Sequence, residues 1–133
     1  MAIDFQTHLD NIDFEKYLDR LKKKIGNSKV IIYGSGSFFQ YIIEKYDLSN
    51  LNILGVSDIK FLEEQEGETC SGYKIIPKNK IKLYNPDYVL VATLEYTGIV
   101  ENFRLNIFNN SHTKIYPLAR MSFWDFIKEI WRK

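Results

Sequence analysis

The sequence predicts an α/β protein in which a parallel sheet of about five strands, in the order 3-2-1-4-5, carries helices on both faces. Short β-branched apolar runs alternate along the chain with stretches that space their apolar residues as a helix does. The first run, residues 29–33, leads straight into a turn rich in glycine. A length of 133 residues suits one domain around one core. We therefore treat residues 1–133 as a single domain.

The first half of the chain is expected to supply an extra helix before the sheet begins. Residues 1–28 form this N-terminal helical lead-in, because apolar side chains recur at helical spacing over 12–25 and Gly26 then ends the helix. Residues 29–33 form the first strand and residues 38–46 the next helix. Residues 51–58 form the second strand, which ends at Asp58.

The second half repeats the alternation after a polar and acidic stretch, residues 59–72, that is predicted to be a long surface loop. Three more strands are expected at residues 73–77, 88–93 and 113–118, and a helical turn at 78–84. One further helix carries an apolar face made of Ile99, Val100, Phe103 and Ile107. Strands that alternate with helices in this way form a parallel sheet.

Composition excludes several classes of protein. The net charge of +1 gives no support for nucleic acid as a partner. The single cysteine, Cys70, cannot form an intrachain disulfide and is compatible with a reducing compartment. No apolar run has the roughly 20 residues that cross a bilayer, and the first residues lack the basic start and apolar core of a signal peptide. We expect a cytoplasmic protein without membrane contact.

The turn after the first strand has the glycines of a Rossmann-like nucleotide-binding unit. Gly34 permits a tight turn, and Gly36 lets the backbone approach a phosphate at the start of the following helix. The predicted phosphate-binding residues are Gly34, Ser35, Gly36, Ser37 and Phe38. The usual third glycine is replaced by Phe39, which must either push the helix outward or turn its ring into the core.

Three polar residues complete the predicted site. Asp58 lies 22 residues after Gly36, where dinucleotide sites carry an acid that binds ribose hydroxyls. Lys60 can balance a phosphate charge, and Thr93 faces the glycine turn from the end of the fourth strand. The alternatives are structural: a tight turn without ligand, an Asp58 that caps a loop, a solvated Lys60, and a Thr93 that caps the next helix.

No catalytic constellation is identified, and whether the chain is an enzyme is left open. Tyr41 and Lys45 match the spacing of a dehydrogenase pair but lie on the wrong helix. Ile32 occupies the position where a methyltransferase site needs an acid. His8, His112 and Cys70 lack metal-ligand spacing, and the glutamates of residues 63–68 are read as part of an acidic loop, so no metal is expected.

The segments "VIIYGSGSFFQYII", "ILGVSD", "GYKII", "YNPDYVLVAT" and "KIYPL" together resemble the Rossmann-type domains of bacterial surface-polysaccharide biosynthesis proteins. Relatives include the N-terminal domains of sugar acetyltransferases and of nucleotide-sugar dehydratases. The resemblance implies NAD(P) or a nucleotide sugar as ligand. It also implies a binding module in capsule or lipopolysaccharide biosynthesis without a complete catalytic site. Two alternatives stay open: a non-catalytic interaction or regulatory protein with a degenerate site, and a fragment of an NAD(P)-dependent nucleotide-sugar oxidoreductase or epimerase.

Residues 122–133 are predicted to form an amphipathic C-terminal helix with Ser122 as N-cap. Six of the nine residues from 123 to 131 are apolar, and most of these are aromatic. That arc is wider than one sheet edge needs. A homodimer or protein partner through this helix is one expectation. The alternatives are that the helix buries its aromatic side chains in the domain's own core, or that it lies on a membrane surface, for which only Lys128, Arg132 and Lys133 supply positive charge.

Overall fold

A computed structural model of the protein describes residues 4–120. The predicted C-terminal helix at 122–133, with the predicted dimer or partner surface, lies outside these residues. The strands are β1 (Lys29–Tyr33), β2 (Asn52–Ser57), β3 (Thr69–Cys70), β4 (Tyr73–Lys74), β5 (Tyr88–Val91) and β6 (Lys114–Pro117). The α-helices are α1 (Phe5–Asn11), α2 (Phe14–Ile25), α3 (Ser37–Lys45) and α4 (Thr97–Asn102).

Four strands form a parallel sheet in the order β2-β1-β5-β6. The central strand β1 pairs with β2 on one side and with β5 on the other, so that Ile31 lies opposite Gly55 and Val89. All of its inner residues are buried, as expected of a strand covered on both faces. The predicted α/β class and its Rossmann-like strand order are therefore confirmed for these four strands.

The predicted third strand, residues 73–77, lies beside β2 but is shorter than expected. It contacts β2 through a single parallel bridge between Ile75 and Val56, reinforced by the N–H of Ile76, which donates to the Val56 carbonyl at 2.9 Å. On its outer side the segment begins as β4, which pairs antiparallel with β3. The count of five strands in one sheet is thus corrected to four strands and a small hairpin.

The hairpin also corrects the prediction of a loop over residues 59–72. A 3₁₀ turn, Glu63–Gln65, and strand β3 interrupt this stretch. Gly55 of β2 explains why β4 and the residues after it pack so closely. A Cβ at this position would lie 2.5 Å from the carbonyl oxygen of Lys74 and 2.7 Å from the Cδ1 of Ile76.

Helices cover both faces of the sheet, as predicted. On one face, α2 and α3 bury their apolar residues against Val30 and Ile32 of β1. On the other face, Ile31 and Tyr33 meet a 3₁₀ helix, Lys78–Tyr84, and the segment that follows α4. The lead-in contains two helices rather than one, because Asp4 begins α1 by accepting the Thr7 N–H at 3.1 Å.

Helix α4 continues as one π-helical stretch, Phe103–Ile107. Its predicted apolar face is confirmed, since Val100 and Phe103 are buried in the second core and Ile99 and Ile107 pack against it. Within residues 4–120, no helix is long and apolar enough to cross a bilayer.

Candidate nucleotide-binding site

Gly34 makes the tight turn that leaves β1, and the surrounding packing requires a glycine. Its φ of +112° is a conformation that residues with a side chain rarely adopt. A Cβ here would lie 3.0 Å from both the Ala92 carbonyl oxygen and the Thr93 Cγ2. The Gly34 N–H donates to the Ser57 carbonyl at 2.8 Å. Gly34 therefore joins the carboxyl ends of β1, β2 and β5.

Gly36 differs, because nothing among the described residues 4–120 requires a glycine there. It is the N-cap of α3 with a φ of −76°, and no atom lies within 4 Å of the place where a Cβ would stand. No side chain caps α3, so the first amides of the helix, at Ser37 and Phe38, lack the partner that Asp4 gives to α1. These amides and the helix dipole suit a phosphate.

Phe39, at the position of the missing third glycine, turns its ring into the core. Its side chain is fully buried, with the ring centroid 6.2 Å from that of Tyr73. The neighbouring Phe38 is also buried and packs on Phe5 of α1, at 5.2 Å between ring centroids. Of the two arrangements that the sequence left open for Phe39, the structure has the inward one. Neither ring occupies the turn.

Asp58, at the end of β2, bonds directly to the glycine turn. Its Oδ2 accepts the N–H and the hydroxyl of Ser35, both at 2.8 Å, and its Oδ1 accepts the N–H of Lys60 at 3.2 Å. Burial acts to raise the pKa of Asp58, but the hydrogen bonds from Ser35 and Lys60 and the nearby Lys60 charge outweigh it, so the pKa is below its ordinary value. The carboxylate is thus ionised at neutral pH and holds the turn in place.

A chain of hydrogen bonds extends from this turn to the hairpin. The Gln40 Nε2 donates to the Ser35 carbonyl at 3.3 Å, and the Gln40 Oε1 accepts the Ser71 hydroxyl at 2.7 Å. Ser71 lies in the turn between β3 and β4, with a φ of +55°. The predicted site is therefore bordered by the hairpin, which the sequence analysis did not include.

Thr93 and Lys60 both lie at this edge of the sheet. The Thr93 hydroxyl donates to the Glu95 carbonyl at 3.1 Å, within its own loop, and the N-cap of α4 is Tyr96. Lys60 is exposed, and its ammonium lies 5.8 Å from the ring centroid of Phe61. The structure brings both residues near the glycine turn or Asp58, and their ligand roles stay predictions.

The family model described as C2185-like, N-terminal, matches residues 26–115. The chain belongs to this family. No curated protein matches it significantly. One similar solved structure is UDP-D-quinovosamine 4-dehydrogenase from Vibrio fischeri, with 16% identity and a TM-score of 0.46 over 78% of this chain and 86% of that chain. The function must be derived from the chain's own residues.

Two residues of this C2185-like domain were missed by sequence reasoning. Lys78 follows the third-strand segment and lies over the rings of Tyr33 and Phe103, with its ammonium 5.6 and 5.7 Å from their centroids. Within the described part of the chain, no carboxylate pairs with it. Ile59, next to Asp58, is 76% exposed. The only sequence signal was their position just beyond the second and third strands.

Among the described residues of this C2185-like domain, no group of three or more His, Cys, Asp or Glu side chains is placed to hold a metal ion. Two of the acidic residues instead bond to the 3₁₀ helix Lys78–Tyr84. The Asn79 amide donates to Glu63, and the Tyr84 hydroxyl donates to Glu66 at 2.8 Å. The acidic stretch is thus attached to the body of the domain.

A pocket of about 520 Å³ lies between α4 and the end of β6. Its lining is mostly apolar and includes Tyr96, Val100, Leu105 and Pro117, with Glu101 and Arg104 as charged members. The Arg104 guanidinium donates to the Ile115 carbonyl at 2.5 Å and so is already bonded within the protein. This pocket holds none of the predicted nucleotide-binding residues.

Proposed function

We propose that this chain binds a nucleotide or a nucleotide sugar at the carboxyl edge of its sheet, with the phosphates at the start of α3. The observation that carries the proposal is that a glycine begins α3 at position 36 although the packing around it does not need one. In the described part of the chain, no neighbour makes a glycine necessary at this position, and the N-cap of the helix makes no side-chain capping bond. An anion placed against the amides of Ser37 and Phe38 supplies the missing partner.

The other residues at this edge fit the remaining parts of such a ligand. Asp58 can accept a hydrogen bond from the ribose, and the exposed side chain of Ile59 beside it can contact the flat face of a base. Lys60 and Lys78 can offset the negative charge of the phosphates, because neither forms a direct ion pair with a carboxylate among the described residues.

The proposed role is a binding module in bacterial surface-polysaccharide biosynthesis, in the cytoplasm. The polysaccharide context rests on the resemblance of the strand and turn segments to proteins of that kind. The ligand class rests on the site itself. The proposal assigns binding and no chemical step to this chain.

A Gly36→Asp variant gives the sharpest test. The backbone at this position has the extended conformation of an N-cap, so an Asp carboxylate can cap α3 and keep the fold at least as stable. The same carboxylate occupies the amides and repels phosphate. Calorimetric titration with NAD, NADP, a UDP-sugar and a dTDP-sugar is expected to show binding of at least one by the wild type, and a loss of about tenfold or more in the variant.

An Asn109→Asp variant is the matched control. Asn109 is exposed in the connection that precedes β6, at the opposite edge of the parallel sheet, and the substitution adds the same charge. It should leave affinity unchanged. Absence of binding by all four nucleotides at millimolar concentration would contradict the proposal, and so would equal affinity of the wild type and Gly36→Asp.

The second candidate function is a non-catalytic interaction or regulatory protein that kept the fold and lost the ligand. The observation that favours it is the engagement of Asp58 by Ser35, which closes the turn with protein groups alone. This candidate predicts no nucleotide binding by the wild type. It also predicts that a partner protein binds Gly36→Asp as well as the wild type.

A further inference from the structure

The carboxylate of Asp58 has a limited number of acceptor positions, and the protein already uses most of them. An ionised carboxylate offers about four lone-pair positions, two on each oxygen. The N–H and hydroxyl of Ser35 fill those on Oδ2, both at 2.8 Å. The Lys60 N–H takes one on Oδ1, at 3.2 Å. About one position, on Oδ1, is left for a ligand.

Ser35 is held in this arrangement from its other side as well. Only 3% of its surface is exposed, and its carbonyl accepts the Gln40 amide at 3.3 Å. Gln40 is fixed in turn by the Ser71 hydroxyl at 2.7 Å. Withdrawing Ser35 from Asp58 would disturb both the start of α3 and the hairpin. A ligand therefore meets an Asp58 whose Oδ2 is already occupied.

We propose that Ser35 is a specificity-determining residue: by occupying Oδ2 of Asp58, it leaves room for one sugar hydroxyl, and the site binds ribonucleotides and 2′-deoxyribonucleotides with similar affinity. This inference rests on the proposed function. It names the ligand class as nucleotides of either sugar, such as those built on uridine or on thymidine.

The reason lies in the two adjacent hydroxyls of ribose. A carboxylate with two free positions accepts both, and it loses a charge-assisted hydrogen bond, on the order of tenfold in affinity, when the 2′-hydroxyl is absent. A carboxylate with one free position accepts only one hydroxyl, and where the 2′-hydroxyl is absent the 3′-hydroxyl, which both sugars possess, can take that position. The 2′-hydroxyl then adds little.

The test compares matched nucleotide pairs. UDP against 2′-deoxy-UDP and ADP against 2′-deoxy-ADP are titrated calorimetrically into the wild type, Ser35→Ala and Ser28→Ala. For whichever pair binds, the wild type is expected to show dissociation constants within about threefold of each other. Ser35→Ala frees one position on Oδ2 and lets the carboxylate turn toward both hydroxyls, so its preference for the ribonucleotide should rise toward tenfold. Ser28→Ala removes the hydroxyl of a half-buried serine that lies just before β1, at the opposite edge of the sheet from Asp58, so the ratio should stay at the wild-type value.

A wild type that already prefers the ribonucleotide by tenfold or more would overturn the inference and leave the proposed function standing. So would a folded Ser35→Ala variant with an unchanged ratio. If neither pair, nor any nucleotide sugar, binds the wild type, the proposed function fails and this inference fails with it. Should Ser35→Ala not fold, the wild-type ratio still decides.

Discussion

Two strand-to-helix turns meet at the carboxyl edge of the sheet, and they are built differently. The turn after β1 is short, its Gly34 and Ser35 are buried, and Asp58 and Gln40 hold Ser35. It leads into a nine-residue helix that has no capping side chain. The turn after β5 is more exposed, and Thr93 bonds within its own loop. It leads into a six-residue helix that changes to a π-helix.

The difference shows that position at the edge of a sheet is not enough to make a phosphate site. Both turns lie where ligands of open α/β sheets bind. Only the turn after β1 combines a held backbone, a helix long enough for a useful dipole and amides left open by a glycine. The turn after β5 instead supplies packing, because the Thr93 methyl group lies against Gly34.

The largest expected effect separates the two glycines of the first turn. Gly34→Ala should lower the free energy of unfolding by about 3 kcal/mol, because the new Cβ meets the Ala92 carbonyl in a backbone conformation that alanine avoids. Gly36→Ala should change it by less than about 0.5 kcal/mol. Urea unfolding of both variants measures this. Equal losses would show that the crowding at Gly34 does not distinguish the two positions.

A smaller effect is expected at Asp58, with a defined pH dependence. Asp58→Asn should lower the free energy of unfolding by about 1–2 kcal/mol at pH 7, because hydrogen bonds to a carboxylate become bonds to a neutral amide. The folded pKa of Asp58 is lowered, so its stabilisation is complete above the unfolded value of about 4 and is lost as the pH falls through the folded value.

Unfolding curves of the wild type and Asp58→Asn, measured from pH 7 to pH 3, check this expectation. The difference between the two proteins should shrink toward the acid end. Ser35→Ala, which removes one of the three hydrogen bonds, should give a smaller difference of the same sign. A difference that grows as the pH falls would contradict the assigned role of the Asp58 charge.

The smallest effect is expected in the second turn. Thr93→Val keeps a methyl group near Gly34 and loses the hydrogen bond to the Glu95 carbonyl, whereas Thr93→Ser keeps the bond and loses the methyl group. Each of these substitutions should lower the free energy of unfolding by less than about 1 kcal/mol, because Thr93 is only partly buried. Thermal unfolding of both variants decides it. A loss above about 2 kcal/mol would mean that the second turn is as constrained as the first.

Much of the fold could be predicted because local patterns and sheet geometry agree. The apolar run at residues 29–33 and the glycines after it predict a buried strand and a tight turn, and both are present. The third strand was predicted in the right place but at the wrong length. Its hydrogen bonds to residues 67–70 depend on a hairpin with strands of two residues, which give no periodic signal.

The candidate site could be predicted by position but not by partner. The spacing between Gly36 and Asp58 predicts that the acid stands at the same edge as the turn, and it does. That Ser35 bonds to this acid depends on how the ends of β1 and β2 meet in three dimensions. Lys78 was missed for the same reason, since its place over Tyr33 follows from the docking of the third-strand segment against β2.

The sequence by itself determined the α/β class and the strand order around β1, because both follow from the periodicity of the apolar residues. It also determined the tight turn at Gly34, because that turn follows from backbone sterics within a few residues. Only the tertiary structure decided the direction of Phe39, whose ring fills core space beside Tyr73. It also decided how much of the Asp58 carboxylate remains free. Both depend on contacts between residues at least 20 positions apart, and no local pattern encodes the distance between such residues.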